Sequence, residues 1–102
     1  MNMTKITWVS DISEVRYDRD NRIVSFASSQ LDLTADATLY IAAYNGSQLV
    51  GINMVDVKAG TKAIKLSAMV KSAPNKVKVF AFDANLKPLL AAIEASGEDI
   101  IQ

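Results

Sequence analysis

Apolar and polar residues alternate with a period of two along most of this chain, and helical periodicity is weak. At 4–9, Ile6 and Trp8 fall on one face. A turn over 10–14 and a polar connection, Tyr17-Asp18-Arg19-Asp20-Asn21-Arg22, lead to a second run at 22–29, where Val24 and Phe26 oppose Ser25. Residues 38–44 are rich in β-formers and run straight into Asn45-Gly46. Between two apolar runs that dipeptide predicts a tight hairpin, because both residues tolerate positive φ. Residues 48–57 are the returning strand, and Gly51 inside it marks a bulge or bend. After a turn at 58–61, residues 62–70 alternate most cleanly, with Ile64, Leu66, Ala68 and Val70 on one side. The segment containing Pro74 breaks the run, 76–82 forms another strand, and Asp83 to Asn85 turns the chain. Residues 86–93 close the domain, and Pro88, with no N–H to give to a ladder, predicts an edge strand. Leu89 to Ala95 consists of good helix formers, so a short helix competes there with a strand reaching about Leu90.

About seven short antiparallel strands, spaced roughly 8–12 residues apart, predict an all-β fold of the sandwich or barrel type. The expected architecture is an immunoglobulin-like β-sandwich over residues 1–95, with 96–102 a frayed tail. At 102 residues the chain is one domain, and half of its residues are apolar, enough to fill a core unaided.

Eleven basic and eleven acidic residues cancel. A nucleic-acid module carries a basic excess, so that class is not expected, nor is a polybasic membrane anchor. There is no cysteine and no histidine. Their absence removes disulfides, thiolate zinc sites, thiol nucleophiles and the commonest general base together. No apolar run approaches the length of a membrane span, so no membrane insertion is expected, and the N-terminus lacks an apolar signal core. The expectation is a chain that is not an enzyme and takes no cofactor.

Several residues are nonetheless worth weighing as chemistry. Asp56 and Asp83 lie at strand ends, and paired carboxylates are what glycoside hydrolysis needs. Nothing fixes their separation, and aspartate after a strand more often accepts turn N–H groups. Asp18-Arg19-Asp20-Asn21 offers oxygen donors but lacks the spacing and glycine of a calcium loop, and Arg19 and Arg22 sit beside it. No metal site is expected. Asn45-Gly46-Ser47 matches a glycosylation sequon and is read as turn chemistry. Trp8, Tyr17, Tyr40 and Tyr44 are the aromatics that could stack on sugar rings. Packing favours core or boundary for Trp8 and Tyr44. Tyr40 and Tyr44 share parity with Thr38 and Ala42, while Leu39, Ile41 and Ala43 claim the other face. Which face is buried stays open, and Tyr40 and Tyr44 are the candidate ligand surface.

Two strings carry a resemblance. Ile41-Ala42-Ala43-Tyr44-Asn45-Gly46-Ser47-Gln48-Leu49-Val50 resembles the A-x-Y-D-x-N-G-x-L-V hairpin of a bacterial surface module. Val77-Lys78-Val79-Phe80-Ala81-Phe82-Asp83-Ala84-Asn85-Leu86-Lys87-Pro88-Leu89 resembles that module's V-K-V-F-x-W-D…L-K-P-L ending. Phe82 stands where the pattern has Trp, and the hairpin lacks its extra Asp. These modules are similar to immunoglobulin-like and fibronectin-III-like sandwiches and accompany secreted or cell-surface proteins, often carbohydrate-active enzymes. The resemblance implies a non-catalytic accessory, spacer or interaction module of a larger extracellular bacterial protein. Its partners would be neighbouring domains or another protein; a carbohydrate-binding module holding polysaccharide through Tyr40 and Tyr44 is the alternative.

Overall fold

The structure is a computed structural model that describes residues 14–29, 33–89 and 93–101. The strand expected at 4–9, with Ile6 and Trp8, lies outside the described residues. Alternation becomes sheet most plainly at β2 (Ile23–Ser28), where Val24, Phe26 and Ser28 point inward and are buried while their neighbours are half-exposed. Beside it lie β1 (Glu14–Asp18) and β5 (Ile64–Met69), and the order in this sheet is β5-β2-β1-β8, with β8 at Ile100–Ile101. The second sheet runs β4-β3-β6-β7, from β3 (Ala37–Asn45), β4 (Gln48–Val57), β6 (Lys76–Phe82) and β7 (Ile93–Ser96). All pairs are antiparallel except β1 with β8. Among the described residues the chain is an all-β sandwich of two four-stranded sheets, compatible with the immunoglobulin-like architecture expected.

One core joins the sheets. Phe26, Val24, Leu66 and Tyr17 from the first meet Leu39, Ile41, Val77, Val79 and Ile93 from the second. Burying each large apolar side chain contributes about 1.5–3 kcal/mol against exposure.

Several local expectations change. β1 falls where a turn and a polar connection were expected. Val15 and Tyr17 are buried between exposed Glu14, Arg16 and Asp18. Charged residues on the outward parity do not interrupt a half-buried strand. The hairpin turn is one residue later than expected: Asn45 stays in β3 opposite Gln48, and Gly46-Ser47 forms the loop. Of the residues there only Gly46 has positive φ, +65°, the pattern of a II′ turn with glycine first. The register steps from Ala43↔Gly51 to Tyr44↔Leu49, so Val50 is the bulged residue and turns into the core.

The last edge strand is β7, beyond the expected position, and Pro88 makes only an isolated bridge to Phe82. Of the helix alternative at Leu89 to Ala95, residues 90–92 lie outside the described residues, and 93–95 are strand. Ile93 and Ala95 are buried against the sandwich while Glu94 and Ser96 face out, so burial at period two overrides helix propensity. The segment expected as a frayed tail carries a 3-10 turn (Gly97–Asp99) and β8, with Ile100 buried beside Val15. The chain therefore switches sheets between β7 and β8 and closes one side of the sandwich. The other side is closed where β4 meets β5. Asn53 Nδ2 donates to the Ser67 carbonyl at 2.7 Å, and the Lys71 N–H donates to the Val50 carbonyl at 3.0 Å.

Candidate functional site

Burial of Leu39, Ile41 and Ala43 settles the parity of β3 and turns Thr38, Tyr40 and Tyr44 outward. The same holds on β6, where Val77, Val79 and Ala81 are buried and Phe80 and Phe82 share the outer face with Lys76 and Lys78. On β4 the residues paired with Tyr40 and Ala42 are Met54 and Ile52, both near 60 % exposed (59 % and 58 %). The outer face of the second sheet is thus apolar at its centre. Tyr40, Ile52, Phe80, Phe82 and Leu86 line an open groove of about 420 Å³. The Tyr40 and Phe82 rings meet edge-on at 5.8 Å and 67°, and Phe80 and Phe82 stack at 5.9 Å and 18°.

The two tyrosines expected to act together have different surroundings. Tyr40 belongs to the aromatic cluster. Tyr44 does not line the groove, and Lys78 Nζ lies 5.7 Å from its ring centroid, a cation–π distance. Sequence reasoning missed Phe80, Phe82, Ile52 and Leu86 as surface residues. A signal was present: both parities of 77–82 carry apolar side chains, which one core-facing side cannot absorb. Tyr17 is buried in the core, and Trp8 lies outside the described residues.

Leu86 is the unusual member. Its φ is +63°, left-handed backbone that costs an L-residue about 1–2 kcal/mol, and its side chain is 71 % exposed. The loop imposes this conformation. The Leu86 N–H donates to the Asp83 carbonyl at 3.0 Å, and Asp83 Oδ1 accepts from the N–H groups of Asn85 at 2.8 Å and Lys87 at 2.9 Å. A leucine there gains little burial to offset the strain, yet it sets an apolar side chain at the rim of the groove. Arg22, in the turn between β1 and β2, is likewise exposed with φ +57°, so the left-handed backbone marks a tight turn, and at position 86 that turn carries a leucine at the groove. Leu86→Gly is expected to raise stability by roughly 0.5 kcal/mol in urea unfolding, the relieved strain being partly offset by glycine's extra freedom in the unfolded chain. A loss of stability would mean that the leucine is a packing residue.

Three of the carboxylates weighed as catalytic or ligating, Asp18, Asp56 and Asp83, are engaged locally. Asp83 closes its own turn, and Asp56 Oδ1 accepts from Thr38 Oγ1 across the strand pair at 2.9 Å. Asp18 folds back on the β1–β2 loop: Oδ1 accepts from the N–H groups of Asp20 and Asn21, and Oδ2 from Asn21 Nδ2 at 2.8 Å. The Asn21 side chain is the main reason its carboxyl is held below the ordinary 3.8, followed by the backbone N–H of Asn21. A carboxyl depressed in the folded state contributes stability above its unfolded pKa, and that stability is lost as pH falls through the folded value. Asn21→Ala should therefore raise the Asp18 pKa toward 3.8, read by NMR titration of the side-chain carbonyl carbon. An unmoved titration would remove Asn21 as the cause. Among the described residues no three acidic, histidine or cysteine side chains are placed to hold a metal ion. Among the same residues no helix is long and apolar enough to cross a membrane.

No family model matches the chain, and no curated protein matches it.

Proposed function

We propose that the domain is a non-catalytic interaction module, of immunoglobulin-like and fibronectin-III-like type, that docks an apolar protein surface on the outer face of β4-β3-β6-β7. It acts as an accessory part of a larger extracellular bacterial protein, holding a neighbouring domain or a separate protein. The observation that carries this reading is the groove of Tyr40, Ile52, Phe80, Phe82 and Leu86, with a strained leucine at its rim. Apolar and aromatic side chains clustered in an exposed groove are what protein partners use as anchors. The resemblance of the strings at 41–50 and 77–89 to bacterial surface modules supports the accessory context. The sheet order fits as well. The two-residue Gly46-Ser47 loop keeps β4 beside β3, and longer connections carry the chain across to β5 and back to β6.

A carbohydrate-binding module is the second reading, favoured by the near-parallel Phe80 and Phe82 rings. The groove's chemistry favours protein. Among its five side chains the Tyr40 hydroxyl is the one polar group, whereas a sugar needs several hydrogen-bonding partners. The edge-on Tyr40 ring also breaks up a flat platform.

A random-peptide display selection on the domain tests the choice. Selected peptides should be rich in apolar and aromatic residues and lose about tenfold or more in affinity to Ile52→Lys and to Leu86→Gly, the effect of losing an anchor contact. Peptides indifferent to both substitutions would overturn the reading. So would retardation of the domain in polysaccharide gels that disappears in Tyr40→Ala, which selects the carbohydrate alternative.

A further inference from the structure

Asn45-Gly46 is the one place in the chain where asparagine precedes glycine. The hairpin uses Gly46 for its positive φ, but the pair carries a second chemistry. With no Cβ beside it, the Gly46 peptide nitrogen has unhindered access to the Asn45 side-chain carbonyl. We propose that Asn45 is a modification site that converts spontaneously to aspartate and isoaspartate, and that the Asn75 side chain is the latch that controls it.

The reaction needs only water. The Gly46 nitrogen gives up its proton and bonds to Asn45 Cγ; the Cγ–Nδ2 bond breaks, and ammonia leaves carrying that proton. Water then opens the cyclic imide at one carbonyl to give aspartate or at the other to give isoaspartate. The folded turn opposes the first step in three ways. The Gly46 N–H donates to Asn75 Oδ1 at 3.1 Å, which holds the nucleophile away from Asn45. Asn45 itself lies in β3 opposite Gln48, an extended backbone that keeps Cγ off the nitrogen. Asn45 Nδ2 also lies 3.5 Å from Ser72 Oγ, the weakest of these restraints. Asn45 and Gly46 are both exposed, so water reaches the site.

Asn75 is placed for this by its own backbone. Its N–H donates to the Tyr44 carbonyl at 2.9 Å and its carbonyl accepts from the Gly97 N–H at 3.1 Å, and neither bond uses the side chain. Removing the amide therefore unlatches Gly46 without removing what positions residue 75. Modification has a structural consequence, because isoaspartate lengthens the main chain at the last paired position of β3.

The experiment is incubation of the full chain at mildly alkaline pH, with peptide mapping by mass spectrometry and an isoaspartate-specific methylation assay. Asn45 should convert ahead of every other asparagine. Asn75→Ala should speed Asn45 alone by about fivefold, the change in turn opening when one ordinary hydrogen bond of about 1 kcal/mol is lost. Asn75→Asp, which keeps an acceptor oxygen, should stay slow, and Gly46→Ala should nearly stop the reaction. An Asn75→Ala rate equal to wild type would overturn the latch. So would acceleration at all asparagines together, which signals general unfolding, and another asparagine leading would overturn the site.

Discussion

Gly51→Ala is expected to lower the stability of this domain by about 2–3 kcal/mol, the cost of forcing an atom into a packed contact. A Cβ built at Gly51 lies 2.5 Å from the Met69 carbonyl oxygen and 2.8 Å from Val70 Cγ1. The oxygen belongs to backbone at the end of β5, so it cannot swing aside as a flexible side chain would. The neighbouring groups are themselves fixed. The Lys71 N–H bonds the Val50 carbonyl, and the Val70 N–H bonds the Arg22 carbonyl at 2.9 Å. The bulge at Val50 brings β4 over β5 here, and glycine permits the approach. For a domain of about 100 residues the loss amounts to roughly 10–20 °C in Tm. Gly60→Ala is the control. Its φ is +85° and nothing lies within 4 Å of the added carbon, so only backbone strain of about 1–2 kcal/mol applies. Thermal unfolding in which the two variants lose equally would show that the β4–β5 corner is not the tight contact described.

Phe26→Ala is expected to cost about 3–5 kcal/mol, the usual range for truncating a fully buried aromatic residue. Phe26 is wholly inaccessible at the middle of β2, flanked by Val15 on β1 and Leu66 on β5. A domain this size has about 5–15 kcal/mol in total, so the variant sits close to unfolding. Phe26→Leu, losing fewer atoms, should cost about 1–2 kcal/mol and keep the effect measurable by urea unfolding. Phe82→Ala supplies the contrast. Phe82 lies on the outer face, half-buried against Tyr40 and Phe80, and its truncation should cost about 1 kcal/mol. Equal losses at positions 26 and 82 would contradict the assignment of one ring to the core and the other to the outer face of the second sheet.

That contrast also marks how far the sequence could be read. In both phenylalanine-bearing strands the alternation is visible, but alternation alone does not say which parity is inside. At 22–29 the polar Ser25 opposite Val24 and Phe26 resolves it, and the structure agrees. At 76–82 Val79 and Ala81 compete with Phe80 and Phe82, and only the opposing sheet decides. Tyr40 and Tyr44 were legible as a shared face of one strand. The groove was not, since it is assembled from β3, β4, β6 and the loop after β6, and its members are up to 46 positions apart in sequence, from Tyr40 to Leu86.

The chain by itself determined the all-β class, the hairpin at Asn45-Gly46-Ser47, the strands at 23–28, 48–57, 64–69 and 76–82, and the turn at Asp83. These are properties of local pattern and turn chemistry, which act between near neighbours. Tertiary structure decided the rest. It made a strand of 14–18 despite its charges, because Val15 and Tyr17 found a core to face. It drew 93–96 into the sheet against their helix propensity, for the same reason at Ile93 and Ala95. It also left Ile52, Phe80, Phe82 and Leu86 with no layer above them among the described residues. Propensity and period are set by the residue and its neighbours; which apolar face is covered depends on what the rest of the chain brings to it.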